Sequence, residues 1–273
     1  MTAAMPQPRS LLFVPGNRPE RFDKAAESGA DFVCIDLEDA VAPDAKAEAR
    51  DAVVAYLNDT AHTHVGVRIN SPGTQYIDAD QDALEALDMP FVMVPKVDTA
   101  TELEAIRLSA PLIPVLESAL AILNARDIMA SERVTMALFG GGDFTADMGI
   151  PMTWDAMHHA RAHLATCAVA YDVHLFDVPY IDVHDVAGGE RDTERVAALG
   201  IPARAALHPK QIPAIHRALD PSEEEIADAH EIVAAYEASG GNVALHRGKL
   251  IEAPTLRAAQ RVLARAGQSK GIV

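Results

Sequence analysis

Positive charge is scarce in this chain. Only 23 lysines and arginines stand against 40 aspartates and glutamates, a formal net charge of −17 over 273 residues. Such a field repels nucleic acid and anionic membrane surfaces, so neither is expected as a partner. An anionic substrate would need a local basic cluster or a metal. Cysteine is nearly absent: Cys34 and Cys167 are the only two. That excludes a disulfide framework and fits a reducing, cytoplasmic compartment. No apolar run is long enough to span a bilayer, and Met1–Ser10 lacks a signal-type apolar stretch. Aromatics make up 5% of the chain, so the core must be built largely from aliphatic side chains. Those are plentiful: 49% of the residues are hydrophobic, which supports a sizeable core and argues against disorder.

The apolar residues come in short runs: Ser10–Val14, Phe32–Leu37, His64–Asn70, Phe91–Val97, Leu112–Ser118, Val134–Phe139, His174–Tyr180 and Ala203–His208. Alanine-rich amphipathic stretches separate them, among them Arg18–Ser28, Asp44–Leu57, Thr99–Ser109 and Trp154–Tyr171. Regular strand–helix alternation predicts a parallel sheet. Eight units are the number that closes an α/β fold into a (β/α)8 TIM barrel, with an open doubly wound sheet as the alternative. The barrel is expected over residues 1–218. Residues 219–273 are expected to form a C-terminal helical lid or brace of the same domain. A helix start is expected at Asp220-Pro221-Ser222-Glu223, with a stop at Gly240-Gly241. An extended piece over Val243–Ile251 and a helix from Glu252-Ala253-Pro254 should follow.

Carboxylates gather at the ends of these runs. Glu117 ends Leu112–Ser118, and Asp143 follows the next run through Gly140-Gly141-Gly142. A carboxylate at the wet end of a buried strand is costly unless something binds it. Two from neighbouring strands suit magnesium, which is held by one or two protein carboxylates plus substrate and water. No His or Cys set fits zinc. The alternative is two helix-capping acids. The three glycines are not a phosphate-binding Walker loop; they let backbone come close to a ligand, with Gly142 as a candidate N–H donor. Alternation along Phe32–Asp39 places Asp36 and Glu38 on one face, for water or a basic partner, while Asp39 could cap the next helix. Arg68 needs an anion: a structural pair with Asp36 or Glu38, a substrate carboxylate, or a developing oxyanion. Lys96 could form a Schiff base if its pKa were depressed, but among so many acids an ion pair is expected.

Other groups have plainer readings. His159 and His163, four apart on a helix, lack a third ligand and read as surface histidines. Asp182, His184 and Asp185 either cap a loop or line the catalytic face. Arg18, Arg21 and Lys24 either receive phosphates or form a solvated helix face.

Seven motifs then occur in order: Arg9-Ser10-Leu11-Leu12-Phe13-Val14-Pro15-Gly16, Ile35-Asp36-Leu37-Glu38-Asp39-Ala40-Val41, Val67-Arg68-Ile69-Asn70, Val94-Pro95-Lys96, Leu116-Glu117-Ser118, Gly141-Gly142-Asp143-Phe144 and His208-Pro209-Lys210-Gln211-Ile212. Together they resemble the HpcH/HpaI aldolase and citrate lyase β-subunit family, near its citrate-lyase-β-like and malyl-CoA lyase branch. The resemblance spans essentially the whole chain. It implies a (β/α)8 barrel, a trimer or hexamer, and a C-terminal segment reaching toward a neighbour's site. It implies Mg2+ at Glu117 and Asp143 and substrate contacts from Arg68 and Glu117. The implied reaction is cleavage of a 3-hydroxyacyl thioester, such as citryl-, malyl- or citramalyl-CoA, or the reverse condensation. Where CoA-dependent relatives carry Asp-x-Pro, this chain has Glu252-Ala253-Pro254, so Glu252 is the candidate acid there. A thioesterase for a malyl-type product, an aldolase for a free hydroxy-keto acid, and a partner subunit of a citrate lyase complex remain the alternatives.

Overall fold

Eight short strands rich in Val, Ile, Leu and Phe pair in parallel in the order of the chain. They are β1 (Ser10–Pro15), β2 (Phe32–Asp36), β3 (Val65–Arg68), β4 (Val92–Val94), β5 (Leu112–Leu116), β6 (Met136–Phe139), β7 (His174–Asp177) and β8 (Ala203–Ala206). The sheet closes on itself, because β8 returns to β1 in the register Leu11↔Ala205 and Leu12↔Ala206. The expected TIM barrel is therefore the fold, and the open sheet is excluded. The computed structural model describes residues 7–59, 63–240 and 242–269. Met1–Pro6, part of the segment read for a leader, and Gly241, part of the expected helix stop, lie outside them.

Alternation decides what fills the barrel. Leu11, Phe32, Cys34, Phe91, Met93, Ile113, Val115, Met136, Leu138, Phe176, Ala203 and Ala205 form one buried interior cluster. These are every-second residues, as a pleated strand requires. The odd-numbered residues of β2, Val33 and Ile35, are also buried and belong to the helix-facing side. Carried to the strand ends, the interior rows run into Asp36, Arg68 and Glu117, so the inward face turns polar at the C-terminal mouth. That is the end where barrels place their sites.

The other end is stapled. The Asp31 carboxylate accepts from the Arg9 N–H at 2.6 Å and lies 3.5 Å from His216 Nε2, while Ser10 Oγ meets His216 at 2.8 Å. The helices shift at their ends from the expected spans. The first is a 3-10 turn, Pro19–Arg21, running into a helix Phe22–Ala26. Proline at its start disposes of one unpaired N–H. The stretch expected as Thr99–Ser109 is helical only over Ala100–Glu104, opened by a reciprocal Thr99–Glu102 capping box.

Residues 219–269 belong to a second compact unit. It holds a helix Glu223–Ala238, an antiparallel hairpin of β9 (Ala244–His246) and β10 (Lys249–Ile251), and a helix Ala253–Ser269. The first helix is capped by Ser222, whose hydroxyl accepts from Glu225 N–H. Pro221 thus stands before the cap rather than inside the first turn. Among the described residues no helix is long and apolar enough to cross a membrane.

Candidate active site

The site is built on strand ends. Arg68 closes β3 and lies beside Asp36, its register partner on β2. Arg68 donates from Nε to Asp36 Oδ1 at 2.7 Å and from Nη2 to Asp36 Oδ2 at 2.6 Å. This bidentate pair fixes the guanidinium plane. Burial disfavours the cation, yet the Asp36 hydrogen bonds and charge outweigh it and hold the Arg68 pKa above its ordinary value. The guanidinium also covers the Phe13 ring, 5.1 Å from its centroid.

Asp36 does a second task. Its two oxygens accept the N–H groups of Glu38 and Ala40 at 2.8 and 3.0 Å. The turn after β2 is therefore held by Asp36, and Asp39 caps no helix: it is exposed, 3.4 Å from the Lys96 ammonium. Lys46, from the helix Lys46–Asp59, reaches back and donates to the carbonyls of Leu37 and Glu38 at 2.9 and 3.0 Å.

Glu38 sits at the centre of the polar mouth. Its Oε1 accepts from Lys96 Nζ at 2.6 Å and Ser71 Oγ at 3.0 Å. Its Oε2 lies 3.2 Å from Arg68 Nη1 but makes no well-formed hydrogen bond. Burial pushes the Glu38 pKa up, against the pull of Arg68 and Lys96. Lys96 forms the expected ion pair; burial works against its charge, but the bond to Glu38 and the nearby acids hold its pKa above the ordinary lysine value.

Glu117 stands one residue past β5 and is buried. Its Oε1 accepts the backbone N–H of Lys96 at 2.7 Å. A side chain on Gly140 would put its Cβ 2.4 Å from the Glu117 Cβ and 2.5 Å from Oε2, so only glycine fits there. Burial pushes the Glu117 carboxyl up to about 8; the Lys96 N–H lowers it, and the negative charge of Asp143 raises it further. Asp143 is exposed in the first turn of the helix Gly141–Met148. Gly142 lies in that turn with open space where a side chain would be. First-turn N–H groups have no acceptor within their helix, so they are free to face a ligand.

The structure thus brings together Asp36, Glu38, Arg68, Lys96, Glu117 and Asp143. Five carboxylates, Asp39 included, meet two cationic side chains. A buried, protonation-prone carboxyl beside a second acid is the donor set a hard divalent cation suits. Glu252 belongs to the C-terminal unit and is exposed, one residue before the last helix.

The other candidates resolve simply. His159 and His163 stack with ring centroids 6.5 Å apart, and His163 Nε2 lies 3.7 Å from Cys167 Sγ. Asp182 accepts from the N–H groups of His184 and Asp185, and Asp185 caps the helix Val186–Ala198 through Gly188 N–H. These are loop caps. Arg18 and Arg21 lie 3.9 and 3.8 Å from Glu20 on an exposed turn.

Two groups escaped the sequence reading. One is Lys46. The other is a network at β7 and β8, in which the buried Arg161 grips the buried Asp177 through two 2.8 Å bonds and the buried Arg204 reaches the partly exposed Asp192 at 2.7 Å. The available signal for Arg161 was its place on the buried face of the helix Trp154–Ala170, level with Met157, Ala160 and Leu164.

The HpcH/HpaI aldolase/citrate lyase family model matches residues 9–209. An L-malyl-CoA/beta-methylmalyl-CoA lyase of Cereibacter sphaeroides is 31% identical over 301 aligned positions, covering 94% of this chain and 94% of its own. A citrate lyase subunit beta-like protein of Mycobacterium tuberculosis is 33% identical over 267 positions, covering 94% and 95%. A solved structure of the M. tuberculosis protein CitE, in complex with magnesium, acetoacetate and coenzyme A, matches with a TM-score of 0.86 at 31% identity. That match covers 96% of this chain and 98% of the other.

Proposed function

Because this chain belongs to the HpcH/HpaI aldolase/citrate lyase family, we propose that it is a magnesium-dependent carbon–carbon lyase acting on a 3-hydroxyacyl thioester. The substrate class is citryl-, malyl- or citramalyl-CoA, or the same acyl group on a carrier protein. The products are an acyl thioester and a 2-keto acid, and the condensation is the reverse. The observation that carries this reading is the joined set at the barrel mouth: an arginine locked in plane by Asp36, beside the Glu38, Glu117 and Asp143 carboxylates.

Glu117 and Asp143 would hold the magnesium ion. Bound there, it supplies Lewis-acid polarisation of the hydroxyl or keto oxygen. Glu38 takes the proton of the 3-hydroxyl, for which its buried Oε2 without a firm donor is suited. The C2–C3 bond then breaks, and its electron pair moves into the thioester as an enolate. Arg68 donates to that developing oxyanion from a guanidinium whose orientation Asp36 has already set. The enolate carbon next takes a proton, and Glu252 is this chain's candidate donor. Gly142 offers backbone N–H to the keto acid. The working form is a homo-oligomer, a trimer or hexamer, in the cytoplasm, with residues 219–273 acting as a lid.

The test is a panel of CoA thioesters with Mg2+, in which keto acid and free thiol are read separately. Keto acid released without free thiol supports the lyase. Free thiol without keto acid would replace it with a thioesterase. Keto acid from a free hydroxy-keto acid alone would make it an aldolase without a carrier.

A further inference from the structure

Lys96 is one of three non-glycine residues with positive φ among the described residues; the others are Asp172 and Arg247. Asp172 follows a helix end, and Arg247 forms the tip of the β9–β10 hairpin, both ordinary turn positions. Lys96 instead stands at the mouth of the barrel, two residues past β4. Non-glycine residues in the left-handed region are strained, and such strain collects at functional sites.

The strain changes what the residue presents. Phe91 and Met93 face the interior, so strict alternation would carry Pro95 inward and Lys96 out to the helices. A φ of 53° breaks the alternation at Lys96. Pro95 has no N–H, so the first donor past β4 is that of Lys96. Its turned N–H meets Glu117 Oε1 at 2.7 Å, the only hydrogen bond to that carboxylate among the described residues. One residue later Val97 N–H returns to Val115 O at 3.4 Å, and the chain is back on the barrel. The Lys96 ammonium is occupied elsewhere, on Glu38 at 2.6 Å.

We infer that Lys96 is a positioning residue whose left-handed backbone, rather than its ammonium, sets the Glu117 carboxylate for the cation. The carboxylate is clamped between the Lys96 N–H on one side and the bare Gly140 on the other. The ammonium does a separate task, neutralising Glu38. The inference rests on the reading of Glu117 as a metal ligand.

Two substitutions separate the tasks. Lys96→Gly and Lys96→Val both delete the ammonium and both keep the backbone N–H. They differ in that glycine adopts positive φ freely and a β-branched residue does not. Mn2+ binding to the full chain is titrated by the EPR signal of free Mn2+, with circular dichroism and thermal melts as checks of folding. Lys96→Gly is expected to bind Mn2+ within about threefold of the parent. Lys96→Val is expected to raise the Kd by about tenfold or more, the usual cost of losing the group that orients a metal ligand. Lys96→Thr, β-branched but polar, repeats the comparison if the valine variant does not fold. Parent-like binding by Lys96→Val or its threonine substitute overturns the inference. Equal weakening of the glycine and valine variants overturns it too, by assigning the effect to the ammonium. A Glu117→Ala control tests the underlying reading separately, since parent-like Mn2+ binding by that variant would remove Glu117 from the metal site whatever Lys96 does.

Discussion

Arg68 and Asp36 meet edge to edge, with both guanidinium–carboxylate bonds between 2.6 and 2.7 Å and the aspartate side chain 3% exposed. The pair joins β2 to β3 at the mouth of the barrel, and the Glu38 and Asp39 carboxylates lie 3.2 and 4.0 Å from the same guanidinium. Asp36→Asn keeps the shape and removes the charge. Breaking a buried pair at one partner costs about 3–5 kcal/mol. Chemical denaturation should show a loss at the low end of that range, since asparagine retains an acceptor. Turnover should fall as well, because Arg68 is no longer held in plane. A variant as stable and as active as the parent would show that the pair is incidental.

Glu117→Ala and Asp143→Ala should each abolish magnesium-dependent turnover while leaving the circular dichroism spectrum unchanged. Each removes one of two proposed protein ligands from a site with few to spare. Turnover that survives both substitutions in the presence of a chelator would refute the assignment.

Borohydride reduction in the presence of substrate should leave the Lys96 peptide at its unmodified mass. A Schiff base needs a neutral amine, and the hydrogen bond and charge of Glu38 and Asp39 keep this one protonated. A stable mass increase on that peptide would move the enzyme to a different chemical class.

Asp31 makes stability depend on acid pH. Burial alone would raise its pKa, but hydrogen bonds from His216 and Arg9 outweigh burial and lower it from 3.8 to about 2. A carboxyl with a depressed folded-state pKa stabilises the fold fully above its unfolded value and progressively less below it. The contribution should therefore be complete above about pH 4 and lost as the pH falls toward about 2. Asp31→Asn should lower the melting temperature near neutral pH and flatten its slope between those limits. An unchanged slope would mean that other carboxyls govern acid unfolding.

Glu252→Ala should reduce turnover if the residue protonates the enolate carbon. If the acid serves a neighbouring subunit, co-expressing Glu252→Ala with Glu117→Ala should restore part of the activity, because some sites then receive an intact acid and an intact metal ligand from different chains. Full activity of Glu252→Ala alone would end the catalytic role of that residue.

The barrel itself was legible in the chain. Eight apolar runs separated by helical stretches specify eight parallel units, and alternation along Phe32–Asp39 already put Asp36 and Glu38 on one face, because a strand's side chains alternate whatever it packs against. Arg68 and Glu117 stood out for a related reason: a charge at the end of a buried apolar run has to find a partner, whereas Asp143 is exposed in a helix first turn. The partners were decided by tertiary structure. Arg68 had several anions within its possible reach, and only the β2–β3 register, Asp36↔Arg68, settled which one it grips. Asp39 was the residue that could cap the next helix, yet the fold converges the backbone N–H groups after β2 on Asp36. Lys96 shows the limit most sharply. Its ion pair followed from the acidity of its surroundings, but the bond from its backbone to Glu117 depends on a φ that breaks strand alternation, and no pattern of residue types encodes that angle. The same holds for Arg161 and Asp177, sixteen positions apart in the chain and brought into contact only when the helix Trp154–Ala170 packs on β7.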